Sequence, residues 1–199
     1  REIRTAPKEI MAQLAALGLI WDNDVLYQSS RQHAYREALK SLIKDNSVYP
    51  CTCTRKSVPI IYPGTCRNKK FSAIKGEYAI RLRVAPGMVS FKDLALGHKK
   101  WRFENEIGDF IIKRKDGLFA YQIAVVIDDN FQGVNRIIRG MDLLDSTPRQ
   151  LSLYKALNLK PPDYLHIPIV VDKSENKLSK QGNAKPIDID NPSLLLREA

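Results

Sequence analysis

The chain has 199 residues, of which 44% are hydrophobic and 27% are charged, with a formal net charge of +10. This composition predicts one domain of ordinary size with its own core. No run approaches the roughly 20 apolar residues of a membrane helix, and the chain starts without a signal-peptide pattern. We therefore expect a cytoplasmic protein with no membrane partner. The basic excess favours a polyanionic partner without identifying it.

Apolar spacing predicts two helices in the first part of the chain. The first covers residues 1–19, with Gly18 as its stop signal. The second covers residues 30–44, where Tyr35 and Leu39 belong to one apolar stripe. The segment between the two helices is turn-like and rich in Asp and Asn.

All three cysteines, Cys51, Cys53 and Cys66, lie in a segment without helical period, residues 49–67. An odd number of closely spaced cysteines is a poor disulfide framework and fits a metal site in a reduced compartment. The pattern therefore predicts a compact loop or knuckle that binds zinc. The alternative is three thiols without a metal.

A structural zinc site needs four ligands, and thiolates supply three of them here. The candidates for the fourth ligand are His33, His98 and the less usual Tyr49 and Tyr62. The two histidines lie outside the cysteine segment, and a tyrosine would have to bind as a phenolate. The sequence leaves this choice open.

The middle of the chain favours strands. Residues 78–94 alternate in polarity. Residues 109–123 predict a hairpin around the turn Asp116-Gly117, with Tyr121 on its second arm. Residues 122–131 fit either a helix or a strand, with an end signal at Gly133.

The last part predicts a strand, a helix and a second strand. These are residues 134–139, a helix from a Thr147 N-cap to about Asn158, and residues 165–171. The order indicates an α/β fold with a parallel sheet, in which ligands lie beyond the carboxyl ends of the strands. Arg139 and the polar loop 173–183 follow two such ends, so we expect two basic segments at one crevice.

The loop contains Lys177, Ser179 and Lys180, whose ammonium and hydroxyl groups could hold nucleotide phosphates and stabilise a leaving pyrophosphate. So common a pattern is also typical of a solvated loop. Tyr121 and Arg139 could bind an amino acid, since Arg forms forked pairs with carboxylates. The alternative for them is a core tyrosine and a surface arginine.

For the remaining polar candidates, the sequence favours structural roles over catalytic ones. Asp128, Asp129 and Asp142 could act as bases or metal ligands, but acids in such places more often cap helices or pair with arginines. The neighbouring arginines are Arg136 and Arg139. His166 is expected to be structural.

Taken together, these segments resemble the glutamyl group of class I aminoacyl-tRNA synthetases. From Asp116, the run DGLFAYQIAVVIDDNFQGVNRIIRGMDLLDSTPRQLSLYKALNLKPPDYLHIPIV resembles the second half of the glutamyl-tRNA synthetase catalytic domain. KLSKQ at residues 177–181 falls where that family has its KMSKS-type loop. The segment CTCTR with Tyr62 and Cys66, the phrase DGLFAYQIAVVIDD and the Gln of KLSKQ are closer to a truncated paralogous group, the glutamyl-queuosine tRNA(Asp) synthetases.

The resemblance implies a Rossmann-like α/β catalytic domain with a small inserted zinc knuckle. Its parts would be a helical segment at residues 1–48, the knuckle and strands at 49–108, and the second half of the catalytic domain at 109–199. The implied activity is activation of glutamate by ATP with Mg²⁺, without tRNA, and transfer of glutamate to the queuosine base in the anticodon of tRNA(Asp). We expect a monomer.

The resemblance also assigns roles by position. Tyr121 and Arg139 match glutamate-binding residues. The loop residues expected to act in catalysis are Lys177, Ser179 and Lys180, with Lys180 binding ATP. The residues that match the ligands of one structural Zn²⁺ are Cys51, Cys53, Tyr62 and Cys66.

One departure from the family pattern concerns the start of the chain. The HIGH-type motif, and an acidic residue for the glutamate amine, would lie upstream of Arg1. The resemblance therefore implies a missing N-terminal strand–helix unit and a chain that is a fragment of the intact enzyme. The rival hypotheses are a shortened glutamyl-tRNA synthetase that charges tRNA(Glu), a non-catalytic zinc-containing RNA-binding module, and a synthetase relic.

Overall fold

The computed structural model describes residues 5–171, 177–178, 187 and 189–198. The chain forms two compact units, one from Tyr27–Pro168 and the other from Arg1–Leu26 with Ile169–Ala199. No helix in the described part of the chain combines the length and the apolar character that crossing a membrane requires.

The α-helices are α1 (Ala6–Ala16), α2 (Gln32–Lys44), α3 (Tyr121–Phe131), α4 (Thr147–Ala156) and α5 (Pro192–Glu198). The two helices predicted at the start of the chain are confirmed as α1 and α2. A 3-10 turn, Gln28–Arg31, leads into α2, which buries Tyr35 and Leu39 as its apolar stripe predicts. Asn46 follows α2 with a φ of 53°, a left-handed conformation that ends the helix.

An antiparallel sheet of three strands runs through the larger unit. Its strands are β1 (Val48–Cys51), β2 (Ala79–Leu82) and a third strand, Ile111–Lys113, which we label β5. The order is β1-β2-β5, and Cys51 pairs with Ala79. Every residue of β1 and β2 is buried, so this sheet anchors the cysteine segment to the core.

A second, mixed sheet has the order β4-β3-β7-β6. Its strands are β3 (Met88–Asp93), β4 (Gly97–Arg102), β6 (Arg136–Gly140) and β7 (Asp163–Ile167). β3 and β4 form an antiparallel hairpin, whereas β6 and β7 are parallel and joined by α4. Parallel neighbours need such a crossover, so the predicted strand, helix and strand are confirmed.

The hairpin prediction was wrong about Tyr121. Lys113 pairs with Phe119, and Gly117 (φ 85°) closes a three-residue loop between the two arms. The second arm is short, because α3 begins at Tyr121 with Ala120 as its N-cap. Four residues of α3 are buried, and the helix packs against α2, α4 and β5. This packing decides the ambiguous segment in favour of a helix.

Two predicted boundaries also differ from the structure. Ser146 is the N-cap of α4, and Thr147 is its first residue. The Thr147 hydroxyl bonds to Arg139 rather than to the helix. β7 ends at Ile167 rather than at residue 171, and the next residue, Pro168, has no N–H to donate to a ladder.

Candidate active site and metal centre

Three thiols and one phenol meet at the end of the antiparallel sheet. Cys51 is the last residue of β1, and Cys53 follows after one residue. Tyr62 and Cys66 come from the loop that leads to β2, and the Cys66 backbone N–H donates to Tyr62 Oη at 2.8 Å. The three Sγ atoms lie within 4.8 Å of one another. The cysteine pattern therefore folds into one cluster, as the sequence predicts.

The distances in this cluster match a tetrahedral metal site. Sulfur ligands about 2.3 Å from a zinc ion lie roughly 3.8 Å apart, and an oxygen ligand lies slightly closer to the sulfurs. Sγ of Cys53 is 3.6 Å from Sγ of Cys66. Tyr62 Oη is 3.5 Å from Sγ of Cys51 and 3.6 Å from Sγ of Cys53. The residues present therefore fit a zinc ion with four protein ligands.

The other candidates for the fourth ligand lie elsewhere. His33 is exposed on α2, with Glu37 at 3.9 Å, and His98 is exposed on β4. The Tyr49 hydroxyl donates to Asp109 at 2.6 Å. Among the described residues, the cysteines are the one group of His, Cys, Asp and Glu of metal-binding size. Tyr62 is thus the fourth donor that the structure brings to the sulfurs.

The surroundings make the thiols unequal. Burial would raise the pKa of Cys66, but hydrogen bonds from the Tyr62 hydroxyl and the Thr52 backbone lower that pKa to about 6. Burial raises the pKa of Cys53, and its neighbouring thiols add to the rise. Burial, together with hydrogen bonds to the three thiols, also raises the pKa of Tyr62. Hydrogen bonding therefore favours the thiolate form at Cys66, whereas burial disfavours it at Cys53.

Arg81, on the central strand β2, supplies a positive charge to this cluster. Its Nε–H donates to Sγ of Cys51 at 3.3 Å, and its guanidinium carbon lies 3.8 Å from the centre of the Tyr62 ring. Nη1 donates to the Asp109 backbone oxygen at 2.8 Å. The side chain is buried, and a buried cation favours anionic forms of the groups around it.

Backbone packing holds the Tyr62 loop against the sheet. Gly108 has a φ of 66°, and a Cβ there would lie 3.1 Å from the Tyr62 nitrogen and 3.1 Å from Cγ2 of Ile61. Only glycine tolerates both the conformation and the close approach. Gly108 therefore lets the loop come close enough to place the Tyr62 hydroxyl beside the sulfurs.

A second polar cluster surrounds Arg139, near the carboxyl end of β6. Its Nε–H donates to His166 Nε2 at 3.1 Å, and Nη1 donates to Gln150 Oε1 at 2.8 Å. Nη2 donates to Thr147 Oγ1 at 2.7 Å and to the Leu143 oxygen at 3.3 Å. A guanidinium has five N–H donors, so one N–H on Nη1 remains for a ligand. Arg139 is half-buried rather than a free surface arginine.

Tyr121 lies in the same region, at the N-terminal end of α3, and is 48% exposed. The alternative of a core tyrosine is therefore wrong. Burial raises the pKa of Tyr164, and the charges of Arg139, Asp129 and Tyr121 also act on that pKa. Tyr164 thus lies within electrostatic reach of both Tyr121 and Arg139, whose guanidinium is 5.1 Å from its ring centre.

Asp129 is the unusual acid of this cluster. No hydrogen bond or ion pair holds its carboxylate within the part of the chain that the structure describes. Burial raises the pKa of Asp129 to about 6, although Arg139 opposes the rise and Asp128 adds to it. A carboxylate kept in an unfavourable environment is a feature of functional sites.

Asp128, in contrast, is a structural acid. It accepts hydrogen bonds from Gln28 at 3.3 Å, Arg31 at 3.0 Å and the Tyr35 hydroxyl. It therefore pairs with Arg31 rather than with the arginines near it in sequence, and it joins α3 to α2. Asp142 is exposed in the turn after β6.

His166 lies beneath Arg139 and is fully buried. Its Nδ1 is 2.6 Å from Oδ2 of Asp93, the last residue of β3. Asp93 is buried too. Sequence reasoning singled out neither Asp93 nor Arg81, because nothing in the local pattern of β2 or β3 signals a contact with His166 or Cys51.

The predicted phosphate loop is described only in part. Lys177 forms a β-bridge with Val171, and the Leu178 N–H donates to the Val170 oxygen at 3.0 Å. Ser179 and Lys180 lie outside the described residues. The expected meeting of this loop with Arg139 at one crevice stays a prediction.

Comparison with curated proteins gives relatives with one shared name. The chain is 45% identical over 193 residues to a protein of Methylococcus capsulatus, 45% over 201 residues to one of Escherichia coli, and 43% over 208 residues to one of Chromobacterium violaceum. Each is named glutamyl-Q tRNA(Asp) synthetase. The matches cover 96%, 98% and 100% of this chain, which spans only 64%, 64% and 70% of those proteins.

Solved structures and a family profile agree on the fold. A glutamate tRNA ligase from Elizabethkingia meningosepticum superimposes with a TM-score of 0.77 at 20% identity, over 91% of this chain and 43% of that one. The family described as tRNA synthetases class I (E and Q), catalytic domain, matches residues 1–59 and 65–191. The mixed sheet with its parallel β6–β7 pair is thus the α/β fold of a class I synthetase catalytic domain. The chain belongs to the catalytic-domain family of the class I tRNA synthetases of the E and Q group.

Proposed function

We propose that the full-length protein activates glutamate with ATP and transfers it to the queuosine base of tRNA(Asp). The shared name of relatives that are 42–45% identical over most of the chain carries this proposal. Membership of the class I synthetase family supports the use of ATP and a tRNA partner. The net charge of +10 suits an RNA partner.

Tyr121 and Arg139 are the proposed glutamate-binding residues. Among the described residues, one N–H of Arg139 has no acceptor and its other donors bond to neutral groups, so its positive charge is available to a carboxylate. Tyr121 offers a hydroxyl from an exposed side chain in the same region. Tyr121 is the first residue of α3, and Arg139 is the second-last residue of β6.

The proposed chemistry needs no protein nucleophile. An oxygen of the glutamate α-carboxylate attacks the α-phosphorus of ATP, the bond to the bridging oxygen breaks, and pyrophosphate leaves with the electron pair. AMP leaves when the glutamyl group passes to the acceptor. The protein contributes positioning and charge stabilisation. Lys177, Ser179 and Lys180 are proposed to stabilise the pyrophosphate, with Lys180 binding ATP.

The zinc ion is proposed to be structural. Cys51, Cys53, Tyr62 and Cys66 would fill all four positions of its tetrahedron, and no position would remain for a substrate. Such a site stabilises the fold around it. Elemental analysis of protein purified without chelators tests this assignment, which predicts one zinc per chain.

The decisive experiment supplies labelled glutamate and ATP to the full-length protein. The acceptors are tRNA(Asp) with queuosine, tRNA(Asp) without it, and tRNA(Glu). We expect label only on the queuosine-bearing tRNA(Asp). Label on tRNA(Glu) would identify an ordinary glutamyl-tRNA synthetase. RNA binding without any transfer would favour the zinc-containing RNA-binding module or the relic.

A further inference from the structure

We propose that Asp93 and His166 are positioning residues that set the orientation of Arg139 for glutamate. The proposal rests on the proposed function, since it assumes that Arg139 binds the amino acid. Neither residue contacts solvent, so neither can touch the substrate directly. Both would act only through the guanidinium.

The contact between His166 and Arg139 requires one particular form of the imidazole. Arg139 Nε always carries a hydrogen and points it at His166 Nε2, 3.1 Å away, so Nε2 acts as an acceptor. The Thr147 hydroxyl lies 3.2 Å from the same nitrogen and can donate to it as well. The imidazole hydrogen then lies on Nδ1. A hydrogen on Nε2 would point two donors at each other and turn the guanidinium away.

Asp93 selects this form. Its Oδ2 is 2.6 Å from His166 Nδ1, so the carboxylate accepts the Nδ1–H bond. Burial would raise the pKa of Asp93, but the bond from His166 and the backbone N–H groups of Leu96 and Ala95 outweigh burial and lower it. Asp93 therefore stays ionised and fixes the hydrogen on Nδ1.

The backbone of the β3–β4 turn fixes Asp93 in its place. Oδ1 accepts the N–H groups of Ala95 at 3.0 Å and Leu96 at 2.9 Å. The His166 backbone N–H approaches the same oxygen at 3.4 Å. The chain of contacts thus runs from a hairpin turn through a carboxylate and an imidazole to the guanidinium.

The other partners of Arg139 complete its orientation. Thr147 and Gln150 are buried at the start of α4 and accept from Nη2 and Nη1. With Nε held by His166, rotation of the guanidinium plane would break the bonds to His166, Gln150 and Thr147 together. A misplaced plane would aim the remaining Nη1–H away from the ligand, and small errors of this kind reduce catalysis strongly.

The test is Asp93→Asn in the full-length protein, measured by glutamate- and ATP-dependent pyrophosphate exchange without tRNA. The Asn oxygen has to stay at Oδ1 to serve Ala95 and Leu96, so its NH₂ group faces His166 Nδ1. The imidazole must then carry its hydrogen on Nε2, against Arg139, as in the wrong-tautomer effect known for Asp–His pairs. We expect the KM for glutamate to rise between about tenfold and a hundredfold, with the KM for ATP unchanged.

The matched control is Asp109→Asn. Asp109 is also a buried carboxylate that accepts a backbone N–H, from Val84 at 2.8 Å, together with the Tyr49 hydroxyl. It lies beside the antiparallel sheet and has no contact with Arg139 in the described structure. We expect this variant to lower the melting temperature and leave the KM for glutamate within about twofold of the unchanged protein.

Two His166 variants separate positioning from packing. Gln can still offer a hydrogen-bond acceptor to Arg139. Phe keeps an aromatic ring but has no acceptor. We expect His166→Phe to raise the KM for glutamate at least as much as Asp93→Asn, and His166→Gln to raise it less. Nitrogen chemical shifts of His166 report the tautomer directly, and should show Nδ1–H in the unchanged protein and Nε2–H in Asp93→Asn.

The outcomes are distinguishable. If Arg139→Ala raises the KM for glutamate but Asp93→Asn and His166→Phe do not, the positioning proposal is overturned and the glutamate site stands. Equal rises in both KM values after Asp93→Asn would also overturn it, because they indicate general loss of structure. If Arg139→Ala itself leaves the KM for glutamate unchanged, the glutamate site and the positioning proposal both fail.

Discussion

Arg81 beside the cysteine cluster and Arg139 in the polar cluster near the end of β6 are both removed from solvent at least in part. They differ in the groups that accept their hydrogen bonds. Each guanidinium lies over a tyrosine ring, at 3.8 Å for Tyr62 and 5.1 Å for Tyr164. Neither forms an ion pair with a carboxylate among the described residues. Arg81 donates to a thiol that a metal would ionise, whereas Arg139 donates to neutral oxygens and an imidazole.

This difference separates a structural role from a binding role. The charge of Arg81 would be used within the protein, to offset the negative charge of a metal–thiolate centre. The negative charge nearest to Arg139 through bonds is Asp93, one imidazole away. Asp129 acts on Arg139 only through its charge and accepts no hydrogen bond from it among the described residues, so Arg139 keeps a hydrogen bond and positive charge for a ligand. The partners of a buried cation thus indicate whether it serves the fold or a substrate.

The largest expected effect comes from Arg139→Ala. Loss of a charged hydrogen bond to the substrate carboxylate should lower kcat/KM for glutamate by about a hundredfold or more. The measurement is pyrophosphate exchange in the full-length protein. The control is Arg136→Ala on the same strand, an exposed residue whose partner is Asp163 at 3.5 Å. Similar losses in both variants would contradict a specific role of Arg139 in binding glutamate.

Arg81→Met should weaken the metal centre without removing a ligand. Outer partners of metal ligands typically change metal affinity by about tenfold to a hundredfold. We expect correspondingly faster transfer of zinc to a coloured chelator. Arg83→Met is the control, since Arg83 is 5.2 Å from the Tyr49 ring centre and has no contact with the sulfurs. Equal release rates would show that the charge of Arg81 does not act on the metal.

The pH dependence of zinc affinity tests whether the pKa of Cys66 is lowered. The pKa of Cys66 is lowered to about 6, so above this pH zinc displaces no proton from Cys66, and below it zinc must displace one. Affinity should therefore fall more steeply with decreasing pH below about 6, by roughly a further tenfold per pH unit. Competition with a chelator at several pH values measures this slope. A slope that is the same on both sides of pH 6 would contradict the assignment.

Asp129→Asn should have the smallest effect and the opposite sign. The folded-state pKa of Asp129 is raised to about 6, so the ionised carboxylate opposes folding. The penalty is absent when the group is protonated in both states, grows as the pH rises through that range, and is constant above about 6. After allowance for partial exposure, the substitution should add about 1 kcal/mol to the free energy of unfolding at pH 7.5.

The check on this prediction is denaturant unfolding at pH 7.5 and at about pH 4, where the gain should largely vanish. Asp163→Asn, at an exposed acid, serves as the control. A gain that persists at low pH would point to packing rather than charge. A gain in stability with a loss of glutamate activation would place Asp129 among the residues kept for function.

Local patterns were sufficient for much of the fold. The apolar stripe of α2 and the strand–helix–strand order of β6, α4 and β7 follow from periodicity and from the crossover that parallel strands require. The cysteine cluster was also predictable, because its members lie within sixteen residues and thiols share one preferred partner. Tyr121 was misplaced because the hairpin pattern was continued through it, whereas α3 begins at this residue and packs against α2 and α4.

The contacts that the sequence did not predict are those between residues far apart in the chain. Asp93 and His166 are 73 residues apart, and Arg81 and Cys51 are 30 apart. An isolated Asp at the end of a strand, or an Arg within one, has many possible partners, and only the three-dimensional register of the sheets selects among them. Sequence reasoning could therefore name Arg139 but not the residues that orient it.

The close approach of Gly108 to Tyr62 has a consequence for the order of events during synthesis. All three thiols leave the ribosome well before Gly108, and before Asp109, which accepts the Tyr49 hydroxyl. A nascent chain that ends before these residues has its ligands but lacks the backbone that holds the Tyr62 loop in place. The metal centre should therefore mature only after Asp109 has left the ribosome, and released truncated chains that end on either side of this residue should differ in zinc retention.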